Sequence, residues 1–543
     1  MEESFSGRAQ KENSHFNLLT ELIPLKHRYI VFFLILTSFW LQAQNVVSHD
    51  TIVPAKGNVK GQLKEIKKEK VEHHSDSTGS QPRLAQIDTL IQNKYGDLLN
   101  DDTAYNKRYP LWIPAVQTFG FDFLIFSMDR YVLKYDFSTQ VGFNSWNHNI
   151  KTGWEWDTDR FGMNFIAHPY SGTLSFNTAR SNGYNYWQSV PFAVGGSLMW
   201  EYFGENTLPS YNDIINTPIN GAFLGEISYR ISSNILDDRT RGMERVMREI
   251  AAGIIDPARG LNRLIQGKSF RKTNLEVYQK EPLNITLYAG MQKLKNDPEN
   301  ISKTGTYNEI LNLQLDYGNP FENRTRKPYD FFKLRVDLNY GVGRKILDNI
   351  RGYGILYGKN FLSVSGNKAM LVGLYQYYDY WDNKTFELGA IGFGSGVITK
   401  LPVHKVSRSN LYTSVHLALI PFAGSSTRFG PDTSQYRDYN FGGGLEGKFE
   451  STINAGKRAT ATLTAYYYWI HSYVGLKEDN FITIIKPRVT VSLYKNLAVG
   501  FEPAFYYNDV HSPNSPVVHL ARTEWKAFVM IYLEDSQRLG HYN

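Results

Sequence analysis

Near residue 280 the spacing of apolar residues drops from three or four to two, and the alternation persists to residue 533. Leu283, Ile285, Leu287, Ala289 and Met291 alternate with Asn284, Thr286, Tyr288 and Gly290. The same pattern returns in 311–317, 332–340, 411–419, 461–469, 489–493 and 525–533, with Gly, Asn, Asp and Pro between the runs. Successive side chains of a strand point to opposite faces. Long strands alternating between apolar and polar therefore suit a wall with lipid on one side and a polar interior on the other. About twelve such segments are present, an even number as bacterial barrels have. The expectation is a transmembrane β-barrel of about twelve antiparallel strands over 276–534, with apolar side chains outward. A soluble sandwich is the competing fold. Aromatic residues make up 14% of the chain, and the runs Tyr375–Trp381 and Tyr466–Trp469 read as interfacial girdles of a barrel. A short tail, 535–543, follows the last strand.

The N-terminal part reads as delivery. Lys26-His27-Arg28 precede an apolar run, Tyr29–Leu41, and Gln42-Ala43-Gln44 offers a cleavage point, so 1–43 is expected to be a secretory signal peptide. The run is shorter than the roughly twenty residues a spanning helix needs. Residues 44–105 are polar and charged and read as a disordered tether. His73-His74 within it reads as a solvated pair. The chain has no cysteine, which excludes disulfides, iron-sulfur clusters and thiolate zinc sites. A net charge of +7 is scattered over strands and turns, so no nucleic-acid partner is expected.

Between these parts, residues 106–275 carry apolar residues at helical spacing, as in Leu198, Met199, Tyr202 and Phe203, or Ile219, Phe223, Ile227 and Ile231. Pro110 and Pro114 open an aromatic helix over 109–133, in which Asp122 argues against a lipid-facing span. Asp159 is expected to cap a following helix. Over 239–254, Met243, Val246, Met247, Ile250 and Ile254 form one stripe, and Arg241, Glu244, Arg245, Arg248 and Glu249 read as a solvated opposite face. The module is expected to plug the barrel lumen or sit at its periplasmic mouth.

The module also holds the dense motifs: His168-Pro169-x-x-Gly172, Ala179-Arg180-Ser181-x-Gly183, Trp200-Glu201-x-x-x-Glu205, Pro209-Ser210-x-x-Asp213 and Gly225-Glu226-x-x-x-Arg230. Their combination resembles an uncharacterised family of Gram-negative outer-membrane envelope proteins, a domain of unknown function, over roughly 105–275. The resemblance implies an envelope location and no established activity.

Three chemistries fit these residue types. Arg180, Glu205, Glu226 and Arg230 can form a structural ion-pair network. His168 as base, Ser171 or Ser181 as nucleophile, and Glu201 or Glu205 orienting the imidazole would suit acyl transfer. Glu201, Glu205 and Asp213 offer oxygen ligands to a divalent cation, calcium or magnesium, as the candidate cofactor. Elsewhere, Gly442 to Gly447-Lys448 imitates a phosphate loop, but Phe449 stands where a Ser or Thr is needed. The functional expectation is an outer-membrane barrel of structural or transport type with an internal or abutting helical module. The alternative is a membrane-embedded hydrolase of outer-membrane lipid. Expected partners are outer-membrane lipid and, during biogenesis, the secretion and barrel-assembly machinery. The expected location is the cell outer membrane after signal-peptide cleavage.

Overall fold

A computed structural model of the chain describes residues 53–54 and 108–533, apart from 274–275, 296–304, 342–345, 363–367, 384, 404–408, 427–438, 456–457 and 514. The signal segment, most of the tether with His73-His74, and the tail lie outside the described residues.

Helices come first: α1 (Trp112–Ser127), continued by a π-helical turn to Leu133, α2 (Asp136–Thr139), α3 (Phe143–Thr152), α4 (His168–Arg180), α5 (Tyr186–Phe203), α6 (Tyr211–Ile235), α7 (Gly242–Ile255) and α8 (Pro257–Ile265). A second π-helical turn, Met163–Ala167, leads into α4. Helix starts are fixed by side chains that accept otherwise unpaired backbone N–H groups. The Asn185 side chain accepts from the Gln188 backbone N–H at 3.0 Å, Ser210 Oγ from that of Asp213 at 3.2 Å, and Asp256 from that of Arg259 at 3.0 Å. Asp159 does not cap a helix; its side chain faces His168 instead. Helices α4 and α6 cross where glycines allow it: a Cβ on Gly172 would stand 2.2 Å from the Thr217 carbonyl oxygen, and one on Gly221 would stand 2.6 Å from Gly172.

Twelve strands follow: β1 (Leu283–Lys295), β2 (Thr306–Tyr317), β3 (Phe332–Tyr340), β4 (Leu347–Leu362), β5 (Ala369–Asp382), β6 (Glu387–Val403), β7 (Ser409–Ser426), β8 (Asn440–Ala455), β9 (Ala459–Val474), β10 (Asp479–Tyr494), β11 (Leu497–His511) and β12 (Val518–Leu533). Each pairs antiparallel with its sequence neighbour, and β12 pairs with β1 from Thr523↔Lys295 to Leu533↔Ile285, closing the barrel. Val53–Pro54 lies antiparallel to Phe361 and Leu362.

Contacts between non-neighbouring strands identify the lumen face. Lys333 on β3 meets Glu450 on β8 at 2.6 Å, and Trp381 on β5 donates to the Tyr468 hydroxyl on β9 at 3.3 Å. On β5 the lumen set is therefore Tyr375, Tyr377, Asp379 and Trp381, and the outward set is Leu374, Gln376, Tyr378 and Tyr380. The outward residues Gln376, Tyr378 and Tyr380 are all buried, because the helices cover them. Gln376 donates to the Ile219 carbonyl at 2.9 Å and accepts from the Tyr186 hydroxyl at 2.8 Å, and the Tyr378 hydroxyl donates to the Phe165 carbonyl. Phe165 lies over Gly389 and Gly424, and Phe223 over Gly352.

The module thus packs on the outer wall, and the expectation of a lumen plug is corrected. Helix α6, about 37 Å long at 1.5 Å per residue, runs the height of that wall. Near its start Asn212 bonds Asn164, which reaches Tyr439 beside β8. Near its end Asn234 donates to the Glu281 carbonyl, beside β1, at 2.8 Å. Strands β1 and β8 begin on opposite rims, so the helix joins the two.

The aromatic runs read as girdles also lie elsewhere. Tyr375, Tyr377, Trp381, Tyr466 and Tyr468 are buried in the lumen, and Tyr378 and Tyr380 lie under the helices. Exposed apolar side chains lie on two surfaces instead. One is the free barrel wall, with Leu374, Leu417, Leu419, Val489, Val529 and Ile531. The other is the outer face of the module, with Trp112, Val116, Phe119, Phe123 and Leu124 on α1 and Met243, Met247, Ile250 and Ile254 on α7. On the face of α7 expected in solvent, Arg241 and Glu244 are exposed, but Arg245 is buried and pairs with Asp238 and Glu249, both at 2.8 Å. No helix among the described residues is long and apolar enough to cross a membrane.

Candidate functional site

Two places gather polar groups: the module end where α4 and α6 begin, and the barrel lumen. At the first, His168 opens α4, Glu201 lies in the last turn of α5, and Ser210 and Asp213 open α6. His168 Nε2 stands 3.5 Å from Asp159 Oδ2 and 4.0 Å from Asp213 Oδ2. Glu201 Oε2 accepts from the Ser210 backbone N–H at 2.6 Å, and the Ser210 hydroxyl donates to Asp213. Glu205 accepts from the Trp200 indole at 2.5 Å and the Thr207 hydroxyl at 3.0 Å. Around these, Asp157 accepts from Asn164 at 2.9 Å and from Asn212 at 2.7 Å.

Burial and like charge shift these groups together. Burial, then the neighbouring Glu205, pushes Glu201 up to about 8, and burial likewise raises Glu205 and Asp213. Burial acts against a charged His168. Asp213, the hydrogen bond to Asp159, Glu205 and Glu201 outweigh it and hold the imidazole well above its usual value.

The acyl-transfer arrangement is not assembled. Ser171 Oγ donates to the carbonyl of His168 itself at 2.8 Å. Ser181, just past the other end of α4 and roughly 20 Å away along the axis, donates to the Asn177 carbonyl at 2.6 Å. Among the described residues no three His, Asp or Glu side chains, Glu201, Glu205 and Asp213 included, converge as metal ligands. Arg180 and Arg230 both bond Glu226, at 2.7 and 2.8 Å, and Arg230 also reaches Asp330 at 3.3 Å. Glu205 belongs to the His168 end and not to this network. Asn164 and Asn212 were missed from sequence, although Asn212, Asn216 and Asn220 recur every four residues on one buried face of α6.

In the lumen, Trp381 on β5 packs against Tyr506 on β11, with ring centroids 6.4 Å apart. These strands stand six apart in a ring of twelve, so the contact spans the lumen. Leu388, Ala390, Ile420, Tyr466, Tyr468, Ile470, Ile482, Ile484 and Ala504 complete the layer. Beside it lies a cavity of about 280 Å3, lined among others by Lys333, Arg335, Arg351, Glu450, Tyr466, Lys486 and Arg488. The alternating charges Lys333, Arg335 and Asp337 were the sequence signal for this place.

Residues 153–258 match the family model of a domain of unknown function, DUF3943. The DUF3943 segment falls on the helical module and contains the whole His168 cluster and the Arg180–Glu226–Arg230 network. No curated protein matches the chain. Among solved structures, the chain is similar to the NanC porin at 8% identity over 46% of this chain and 100% of that one, with a TM-score of 0.26. It is similar to an outer membrane channel from Pseudomonas putida F1 at 5% identity over 47% and 95%, TM-score 0.26. An anion-selective porin from Comamonas acidovorans gives 9% identity over 47% and 99%, TM-score 0.23.

Proposed function

We propose that this protein is a transport-type barrel of the outer membrane in a closed state, with the DUF3943 module as a lipid-seated brace on its outer wall. The observation that carries the reading is the Trp381–Tyr506 contact across the lumen, with a polar cavity ending against it. A barrel that served only as a support would be served by a packed interior throughout. The exposed apolar side chains of barrel wall and module support outer-membrane lipid as the partner, reached after loss of residues 1–43. The lipid-hydrolase alternative has no comparable support, because the hydroxyls of Ser171 and Ser181 are engaged with backbone carbonyls of their own helix.

The test is conductance in planar lipid bilayers. The wild-type protein is expected to stay closed, and Trp381→Ala combined with Tyr506→Ala is expected to conduct. A double variant that retains the heat-modifiable gel shift of a folded barrel and yet stays closed would overturn the transport reading.

A further inference from the structure

The cavity lining holds five cations, and four of them have close carboxylates. Lys333 meets Glu450 at 2.6 Å, Arg335 meets Asp316 at 2.6 Å, Arg351 meets Asp337 at 3.3 Å, and Arg488 meets Glu502 at 2.6 Å. The fifth, Lys486, is different. Its Nζ is buried with no hydrogen-bond partner, and its carboxylate neighbour, Asp337 Oδ2 at 3.8 Å, already serves Arg351. A buried ammonium without hydrogen bonds is costly unless an opposite charge completes it. The space to hold one is there, since Lys486 lines the cavity together with Thr413, Ser414 and Thr464, whose hydroxyls can donate or accept.

We infer that the cavity is a binding site for a small oxyanion, a molecule bearing one carboxylate or phosphate group, with Lys486 as its principal partner. Lys333, Arg335, Arg351 and Arg488 surround the place and set its sign, while Glu450 and Asp316 keep it from holding more than one such group. Lys486 Nζ also sits 5.3 Å from the centre of the Trp381 ring. The anion therefore binds directly against the layer that closes the lumen. The inference deepens the transport-type reading and rests on it for its purpose, but binding and flux are measured separately.

The experiment is calorimetric titration of the full-length protein in detergent with inorganic phosphate and, in parallel, with acetate, against a chloride background. Saturable binding of phosphate, acetate or both is expected, and the pattern names which oxyanion the site takes. Lys486→Met should weaken binding at least tenfold, and Lys477→Met, in the exposed connection between β9 and β10, should leave it unchanged. Because Lys486→Met can fail to fold, Thr464→Phe provides a second route, filling the cavity without touching a charge, and should also abolish binding. Absence of saturable binding by the wild type, or wild-type affinity in either cavity variant, overturns the inference. If neither oxyanion binds while the Trp381/Tyr506 double variant conducts, the site is wrong and the transport reading stands; binding without conductance gives the reverse.

Discussion

Tyr378 donates its hydroxyl proton to the backbone carbonyl of Phe165, 213 positions earlier, from the outward face of strand β5. Its neighbour Tyr377 points the other way, and its hydroxyl lies 2.8 Å from His416 Nδ1 in the lumen. One residue of strand thus separates the helical module from the interior of the barrel.

Phe165 fills the space over Gly389 and Gly424, so its removal should free the module without opening the barrel. Truncating a buried Phe costs about 3 to 5 kcal/mol. Phe165→Ala is expected to raise hydrogen exchange across α4 and α6 while the heat-modifiable gel shift of the barrel persists. Loss of both together would show that the module is required for barrel closure.

Buried protonated groups at the His168 end, and Asp256 at the start of α8, should make the module less stable as pH rises. Glu201 is raised by burial from 4.5 to about 8, Asp256 by burial from 3.8 to about 7, and His168 lies well above 6.5. In each case the folded chain holds a proton that the unfolded chain gives up, so stability is full below the unfolded value and falls as pH passes through the folded one. The slope is about 1.4 kcal/mol per pH unit for each such proton. The melting temperature of the helices, followed by circular dichroism, should fall between about pH 5 and pH 8. Glu201→Gln should flatten the decline. A melting temperature that rises over this range, or a variant with an unchanged slope, would count against the shared protons.

Glu226 is fully buried between two guanidinium groups. Glu226→Gln keeps its volume and removes its charge, leaving Arg180 and Arg230 buried side by side. Breaking a buried pair of this kind costs about 3 to 5 kcal/mol. The variant should melt well below the wild type, and Glu244→Gln, whose partner Arg248 is on the surface, should change little. Equal melting temperatures for the two variants would remove the network from the stability of the module.

The barrel was legible because a period of two over 9 to 18 residues per strand leaves few other folds. Helices α5 and α6 were legible for the matching reason. Which side of the wall the helices take was not. Gln376, Tyr378 and Tyr380 look like any alternate strand residues, and a side chain buried under a helix reads the same as one at a membrane interface. The girdle expectation failed at Tyr466 and Tyr468 because aromatic rings also fill a narrow lumen. Ser171 was grouped with His168 by residue type as a candidate nucleophile, but a helical serine readily bonds back to its own helix carbonyls. Lys486 was hidden because its lack of a partner depends on strands far apart in sequence.

The absence of cysteine allows the most direct test of the outer-wall placement. Single variants Phe119→Cys, Leu124→Cys and Met247→Cys, spin-labelled and reconstituted in lipid, report accessibility to oxygen, which concentrates in lipid, and to a water-soluble nickel complex. All three side chains are exposed on the outer face of the module. High oxygen and low nickel accessibility at all three sites is the expected result. Labels reached by nickel and shielded from oxygen would place the helices in water or in the lumen and contradict the lipid-seated module.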